Sequence, residues 1–229
     1  MENQKQAEKP KFQIPTETVS LPSKGKLYPS DHPLAKGEIE MKYMTAKEED
    51  ILTNQNYIQK GTVIDKLLQS LIVTEFNYND LFIGDKNAIM VAARILSYGK
   101  DYSINYNDKE ISVDLTEIKE KELDIDALEQ GKSEFTFSLP KSGNEVTFKL
   151  LTHGDDKNID REVQGLKKIN RDSSAEMSTR LKHIITSVNG DREISTVRQF
   201  VDQGLLAQDA RALREEYARV QPDVEFKVY

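Results

Sequence analysis

Residues 101–115 read DYSINYNDKEISVDL and residues 134–150 read EFTFSLPKSGNEVTFKL. In the first stretch Tyr102, Ile104 and Tyr106 alternate with polar residues, Asn107-Asp108-Lys109-Glu110 supplies a turn, and Ile111, Val113 and Leu115 alternate again. A period of two on both sides of a turn predicts a β-hairpin. In the second, Phe135, Phe137 and Leu139 lead into residues 140–144, where Pro140 and Gly143 suit a turn, and Val146, Phe148 and Leu150 follow. Four strands in residues 101–152 predict one small antiparallel sheet, joined across by the acidic stretch 118–132. The flanking stretches have a helical period instead, so the predicted fold class is α+β: a helical body with an inserted small antiparallel β-sheet and an extended N-terminal arm.

Upstream of the sheet, Ile39, Met41 and Tyr43 alternate with Glu40 and Lys42 as in a half-buried strand, and a short helix is expected around 46–52. Val63/Ile64, Leu67/Leu68 and Leu71/Ile72 then recur every four residues, with Asp65, Lys66, Gln69 and Ser70 on the other face, which predicts an amphipathic helix. A second helix is expected from Asp85, as N-cap, through Ala88, Ile89, Ala92, Ile95 and Leu96 to Gly99, which suits the left-handed position just past a helix end. The two should pack with Leu67 and Leu71 facing Ile89 and Ile95. After His153 the chain reads as helical nearly to its end. Ser173 with Glu176 forms a capping box, and Met177, Leu181, Ile184/Ile185 and Val188 make a single buried stripe. Ile194 to Gly204 reads as a short helix, 207–220 as the last one, and Val224, Phe226 and Val228 as a terminal strand. The expected organisation is thus an arm (1–36), a strand plus helical region (37–100), the β insertion (101–152) and a C-terminal helical region ending in a short strand (153–229).

Five of the seven prolines, Pro10, Pro15, Pro22, Pro29 and Pro33, lie in the arm, where each removes an amide donor and biases its predecessor to extended backbone. Phe12, Ile14, Val19, Leu21, Leu27 and Tyr28 punctuate the same segment with apolar side chains that a solvated linker would lack. Such an arm either drapes over its own body or adds onto a neighbouring subunit as an extended strand. The second is the expectation, with a turn at Gly25 presenting Leu21, Pro22, Ser23, Lys24, Gly25, Leu27, Tyr28 and Pro29 as the partner-binding block. Packing of the arm on residues 38–52 is the alternative.

Charge and composition narrow the function classes. The chain has 229 residues, 32 basic and 39 acidic, for a net charge of −7, and no cysteine. Residues 1–36 hold six Lys against four acids, +2, while 108–132 hold nine acids against four Lys, −5. Neither is the clustered basic face that phosphate backbones require, so nucleic acid is not an expected partner. The longest apolar run is the six residues from Ala88 to Ala93, far short of the roughly twenty of a spanning helix, and the N-terminus has no apolar stretch behind its charges, so neither a membrane nor a secretory signal is expected. The histidines, His32, His153 and His183, have no metal-ligand spacing. His153 with Asp155 and Asp156 is the nearest metal candidate, though His-Gly-Asp-Asp at a helix start reads first as acidic side chains complementing the helix dipole. Gly25-Lys26 lacks the first glycine and the helix of a phosphate loop, and neither a nucleophile elbow nor a kinase signature occurs. No catalytic residue, metal site or cofactor is therefore expected.

Two blocks, Leu21-Pro22-Ser23-Lys24-Gly25-Lys26-Leu27-Tyr28-Pro29 and Glu38-Ile39-Glu40-Met41-Lys42-Tyr43-Met44-Thr45-Ala46-Lys47-Glu48-Glu49-Asp50-Ile51-Leu52, resemble the baseplate hub assembly protein family of T-even-like contractile-tailed bacteriophages. The resemblance continues through Gly61 to Leu68, Ile83 to Asn87, Tyr98 to Tyr102, Ile185 to Gly190 and Arg211 to Arg214. It implies a non-enzymatic role in the virion tail baseplate or its assembly in the host cytoplasm, through contacts with hub, wedge or tape-measure proteins. A transient assembly chaperone is the alternative. Similar proteins often continue past the position of Val224–Tyr229 into a cysteine-paired, zinc-ribbon-like segment; this chain has no cysteine, so zinc is not carried over.

Overall fold

The computed structural model describes residues 14–106, 109–125, 128–169 and 175–226. Strand β1 (Thr16–Ser20) pairs antiparallel with β2 (Glu38–Lys42), placing Val19 opposite Ile39. Helices α1 (Ala46–Leu52), α2 (Gln55–Gln59), α3 (Val63–Leu71) and α4 (Ile83–Tyr98) follow. On α3 the stripe buries Leu67, Leu68 and Leu71, which share one core with Ile89 and Ala93 of α4. Leu96 packs at the edge of that core, while Ile95, which the spacing had placed facing α3, is not part of it. Gly99 ends α4 at φ +81°. Asp85 does not cap the helix: Phe82 holds the N-cap position, and Asp85 is buried within the first turn.

The β part divides differently from the single four-stranded sheet expected. Strands β3 (Asp101–Tyr106) and β4 (Lys109–Asp114) form a hairpin that pairs with no further strand among the described residues. The short β5 (Lys119–Glu120) leaves to pair with the chain's own β9 (Val224–Glu225). β6 (Glu134–Ser138) and β7 (Glu145–Lys149) form the second hairpin and take their third strand, β8 (Ile185–Val188), from beyond two helices. The sequence had read 185–188 as the end of a helix. Over four residues a helical stripe and a strand alternation look alike, and the β-branched Ile185, Thr186 and Val188 favour the strand.

Helices α5 (His153–Ile169), α6 (Glu176–Ile184), α7 (Ile194–Gln199) and α8 (Ala207–Val220) complete the body, with one π-helical turn at Phe200–Gly204. Asp155 and Asp156 lie in the first turn of α5, as the dipole argument required. Ser173 of the expected capping box lies outside the described residues. Among the contacts that tie the helical region before the β part to the chain after it, the Ile83 amide donates to the Leu151 carbonyl and the His153 amide to the Leu81 carbonyl. Asp209, buried in the first turn of α8, accepts the Lys141 and Ser142 amides and so fixes the β6–β7 turn. One buried apolar cluster therefore runs from Leu21 to Val220 and draws on the arm, the α3–α4 pair, the β6–β8 sheet and the C-terminal helices.

Candidate functional site

Residues 21–37 connect β1 to β2 by a succession of tight turns. Lys24, Lys26 and Tyr28 each donate their amide to the carbonyl three residues back, and Leu21 bonds to Gly37 across the base. Lys24 and Gly25 both have positive φ, +48° and +77°. Glycine is required at 25 by space as well as by φ, since a Cβ there would stand 2.3 Å from the Ala35 carbonyl oxygen.

The loop closes over a single carboxylate. Asp85, 1% exposed, accepts from the Ser23 amide at 2.9 Å, the Ser23 hydroxyl at 2.7 Å and the Tyr28 hydroxyl at 2.8 Å. Tyr28 in turn accepts from the Phe82 amide, stacks on His32 and meets Phe82 edge-on. Burial pushes the Asp85 carboxyl above its usual range while the Ser23 and Tyr28 donors pull it back. Burial, and then the neighbouring Asp85 charge, drives the Tyr28 hydroxyl far above its ordinary value, so that it stays a donor. With three donors from one loop converging on a carboxyl that is almost wholly buried, the arrangement acts as a clamp.

The block singled out from the sequence is therefore mostly interior. Leu21, Leu27 and Tyr28 are 0, 3 and 1% exposed, and Pro22, Ser23 and Gly25 are buried with them. For the described part of the arm, packing on the chain's own body is what the structure contains. The physical reason is that Ser23, Tyr28 and the loop amides meet their hydrogen-bond partners inside the chain. Only Lys24 and Pro29 of the eight face outward, and Lys24 pairs with Glu120. The acidic stretch covers the rest: the Gln130 side-chain amide donates to the Gly25 and Tyr28 carbonyls, and the Gly131 amide to that of Lys26.

Other polar clusters are likewise paired within the chain. His153 does not join Asp155 and Asp156 around an ion. It lies against Asp65 and Lys86, which pair at 2.6 Å, and meets Tyr78 edge-on, while Asp155 accepts from Lys149 and Thr152 and Asp156 from Arg180. Burial lowers the His153 pKa despite Asp65, so the imidazole is held neutral. Among the described residues no three His, Cys, Asp or Glu side chains come together to hold a metal ion, and no helix is long and apolar enough to cross a membrane.

The family described as T4 bacteriophage base plate protein matches this chain over residues 14–228. The chain belongs to that family. Comparison with curated proteins and with solved structures gives no match. In this baseplate protein the sequence reading located the Leu21–Pro29 block but missed the residues that hold it. Asp85 passed for a helix cap and Gln130 went unremarked in the acidic stretch 118–132, since nothing local in either segment signals partners 57–62 residues away for Asp85 and 102–105 for Gln130. Replacing Asp85 with alanine should cost about 3–5 kcal/mol, because it strands three buried donors, and Asp85→Asn should cost less because one acceptor oxygen remains. Urea unfolding of the two variants checks the order.

Glu48 offers a pH test in the baseplate protein. Its side chain is fully buried and accepts from Lys42, from the Thr45 amide and hydroxyl, and from Ser70. Burial works against the charged form, but those donors win and bring its pKa down to about 2. A carboxyl lowered on folding stabilises above its unfolded value of 4.5, and that contribution fades as pH falls from there through about 2. Glu48→Gln is expected to lose about 1–3 kcal/mol at pH 7. The gap to wild type should narrow steadily between pH 4.5 and pH 2, as measured by urea midpoints.

Proposed function

We propose that this baseplate protein is a non-enzymatic component of the baseplate hub, or a factor in its assembly, acting through contacts with other tail proteins. The observation that carries the reading is a family match running almost the length of the chain. Its buried carboxylates support it: Asp85, Glu48 and Asp209 are each occupied by donors of the fold. A chain that spends its polar chemistry on holding shape suits a building block. Contact made through the Leu21–Pro29 block falls to its outward side chains, Lys24 and Pro29, with the buried members setting their position. Assembly takes place in the host cytoplasm before the tail is complete.

Mass spectrometry of purified virions tests the reading. A fixed copy number per particle is expected of a built-in subunit. Presence in precursor complexes from infected cells but absence from mature virions would make the chain a transient assembly chaperone for a tape-measure or hub protein. Absence from both would end the proposal.

A further inference from the structure

Helices α6 and α8 leave a shallow groove of about 180 Å³ between them, lined by Met177, Arg180, Leu181, Ile184, Arg214 and Tyr217. Its floor is fixed from below. Leu181 and Ile184 belong to the core, and the Tyr217 hydroxyl accepts the Leu151 amide while its ring packs near Phe148. Its rim is cationic. Arg180 is held by Asp156 at 3.1 Å, but among the described residues the Arg214 side chain has no carboxylate within 4 Å and no hydrogen-bond partner other than the Met177 sulfur, a weak acceptor. Met177 itself is 57% exposed, although a long apolar side chain on a groove wall gains most by being covered.

The size and the charge together define an occupant. A volume of this order is well below the roughly 300–1,000 Å³ of small-molecule sites, and it suits one large apolar side chain entering as an anchor. A guanidinium without a carboxylate beside that slot favours an acidic group adjacent to the anchor, held in the two-pronged geometry that arginine prefers. We propose that the α6–α8 groove docks an acidic segment of another tail protein, with a leucine or aromatic side chain in the slot and a neighbouring Asp or Glu on Arg214. This deepens the reading of the chain as an assembly component and rests on it. The preformed floor means that the chain itself has little to reorganise on binding.

The test uses the full chain in infected cells, with Met177 replaced by a photo-crosslinking phenylalanine derivative and irradiation before particles are purified. The expected product is one crosslink to another tail protein, mapped to a segment of net negative charge. Arg214→Glu in the same chain should lower its yield at least tenfold without moving the melting temperature. Arg211→Glu, on the same helix but paired with Glu215 and outside the groove lining, should leave the yield unchanged. A crosslink to a neutral or basic segment, a crosslink to a second copy of this chain, no crosslink, or a yield indifferent to Arg214→Glu would each overturn the proposal. Because irradiation precedes purification, a chaperone that departs before maturation would still be captured. Failure of the groove is thus distinct from absence of the protein in the virion.

Discussion

Removing residues 1–36 is expected to leave a chain that does not fold. The deletion takes away β1, which pairs with β2, and four side chains that are almost wholly buried, Leu21, Leu27, Tyr28 and Leu34. Burial of a large apolar side chain contributes about 1.5–3 kcal/mol, so the four together supply roughly 6–12 kcal/mol. That is comparable with the entire stability of an ordinary domain, about 5–15 kcal/mol. It also uncaps Asp85, leaving a buried carboxyl with no donor from the arm. Circular dichroism and a hydrophobic dye should report a loosened, dye-binding chain with no cooperative melt. A truncated protein that melts near the wild-type temperature would mean that the arm is dispensable to the fold and free to engage a neighbour.

The second large effect is expected at one glycine. Gly25→Ala forces a side chain into a backbone at φ +77° and drives its Cβ against main-chain atoms on the facing side of the loop, the Ala35 carbonyl and the Gly37 nitrogen, at 2.3–2.7 Å. Neither obstacle is the movable end of a side chain. The facing 3-10 turn, Pro33–Lys36, has to shift, and with it the seat of Leu34. The expected cost is about 3–5 kcal/mol, read from urea unfolding. Gly143→Ala is the control. Gly143 also has positive φ, +72°, but a Cβ there meets nothing within 4 Å. It should lose only the conformational part, about 1 kcal/mol. Equal losses at the two positions would show that backbone conformation, and not the close approach of the loop to itself, sets the requirement at Gly25.

How much of this was legible in the sequence depended on the range of the interaction that fixed each element. The strands of both hairpins, α3, and the ends of α4 at Gly99 and of the last helix follow from periodicity and turn chemistry within a dozen residues. What failed were assignments decided at a distance. The third strand of the β6–β7 sheet comes from residues 185–188, where a run of four cannot distinguish a helical from an extended period. The separation of the two hairpins is likewise a pairing choice, and alternation announces a strand without naming its neighbour. In the arm, scattered apolar residues correctly signalled an anchored segment. They carried no information on which molecule supplied the anchorage, because a groove on a neighbour and a groove on the same chain select the same side chains. The candidate site shared that fate: its block was visible, its acceptor Asp85 was not.

The first turn of α4 is gripped from both directions along the chain. Ser23 and Tyr28 bind Asp85 from one side, while Asp223 accepts from the Asn87 side chain and Pro222 lies so close to Gly84 that a Cβ there would overlap its carbonyl oxygen. These contacts span 62 and 136 residues of sequence. During synthesis the N-terminal loop can find Asp85 early, but the opposing contact must wait until residue 223 has left the ribosome. At roughly 5–20 residues per second this leaves an interval of about ten seconds in which α4 is held on one side only. For a chain that folds as it is made, the seat of α4 closes from its second side only when residues 222 and 223 arrive, so a stop before them would leave its start without the opposing grip.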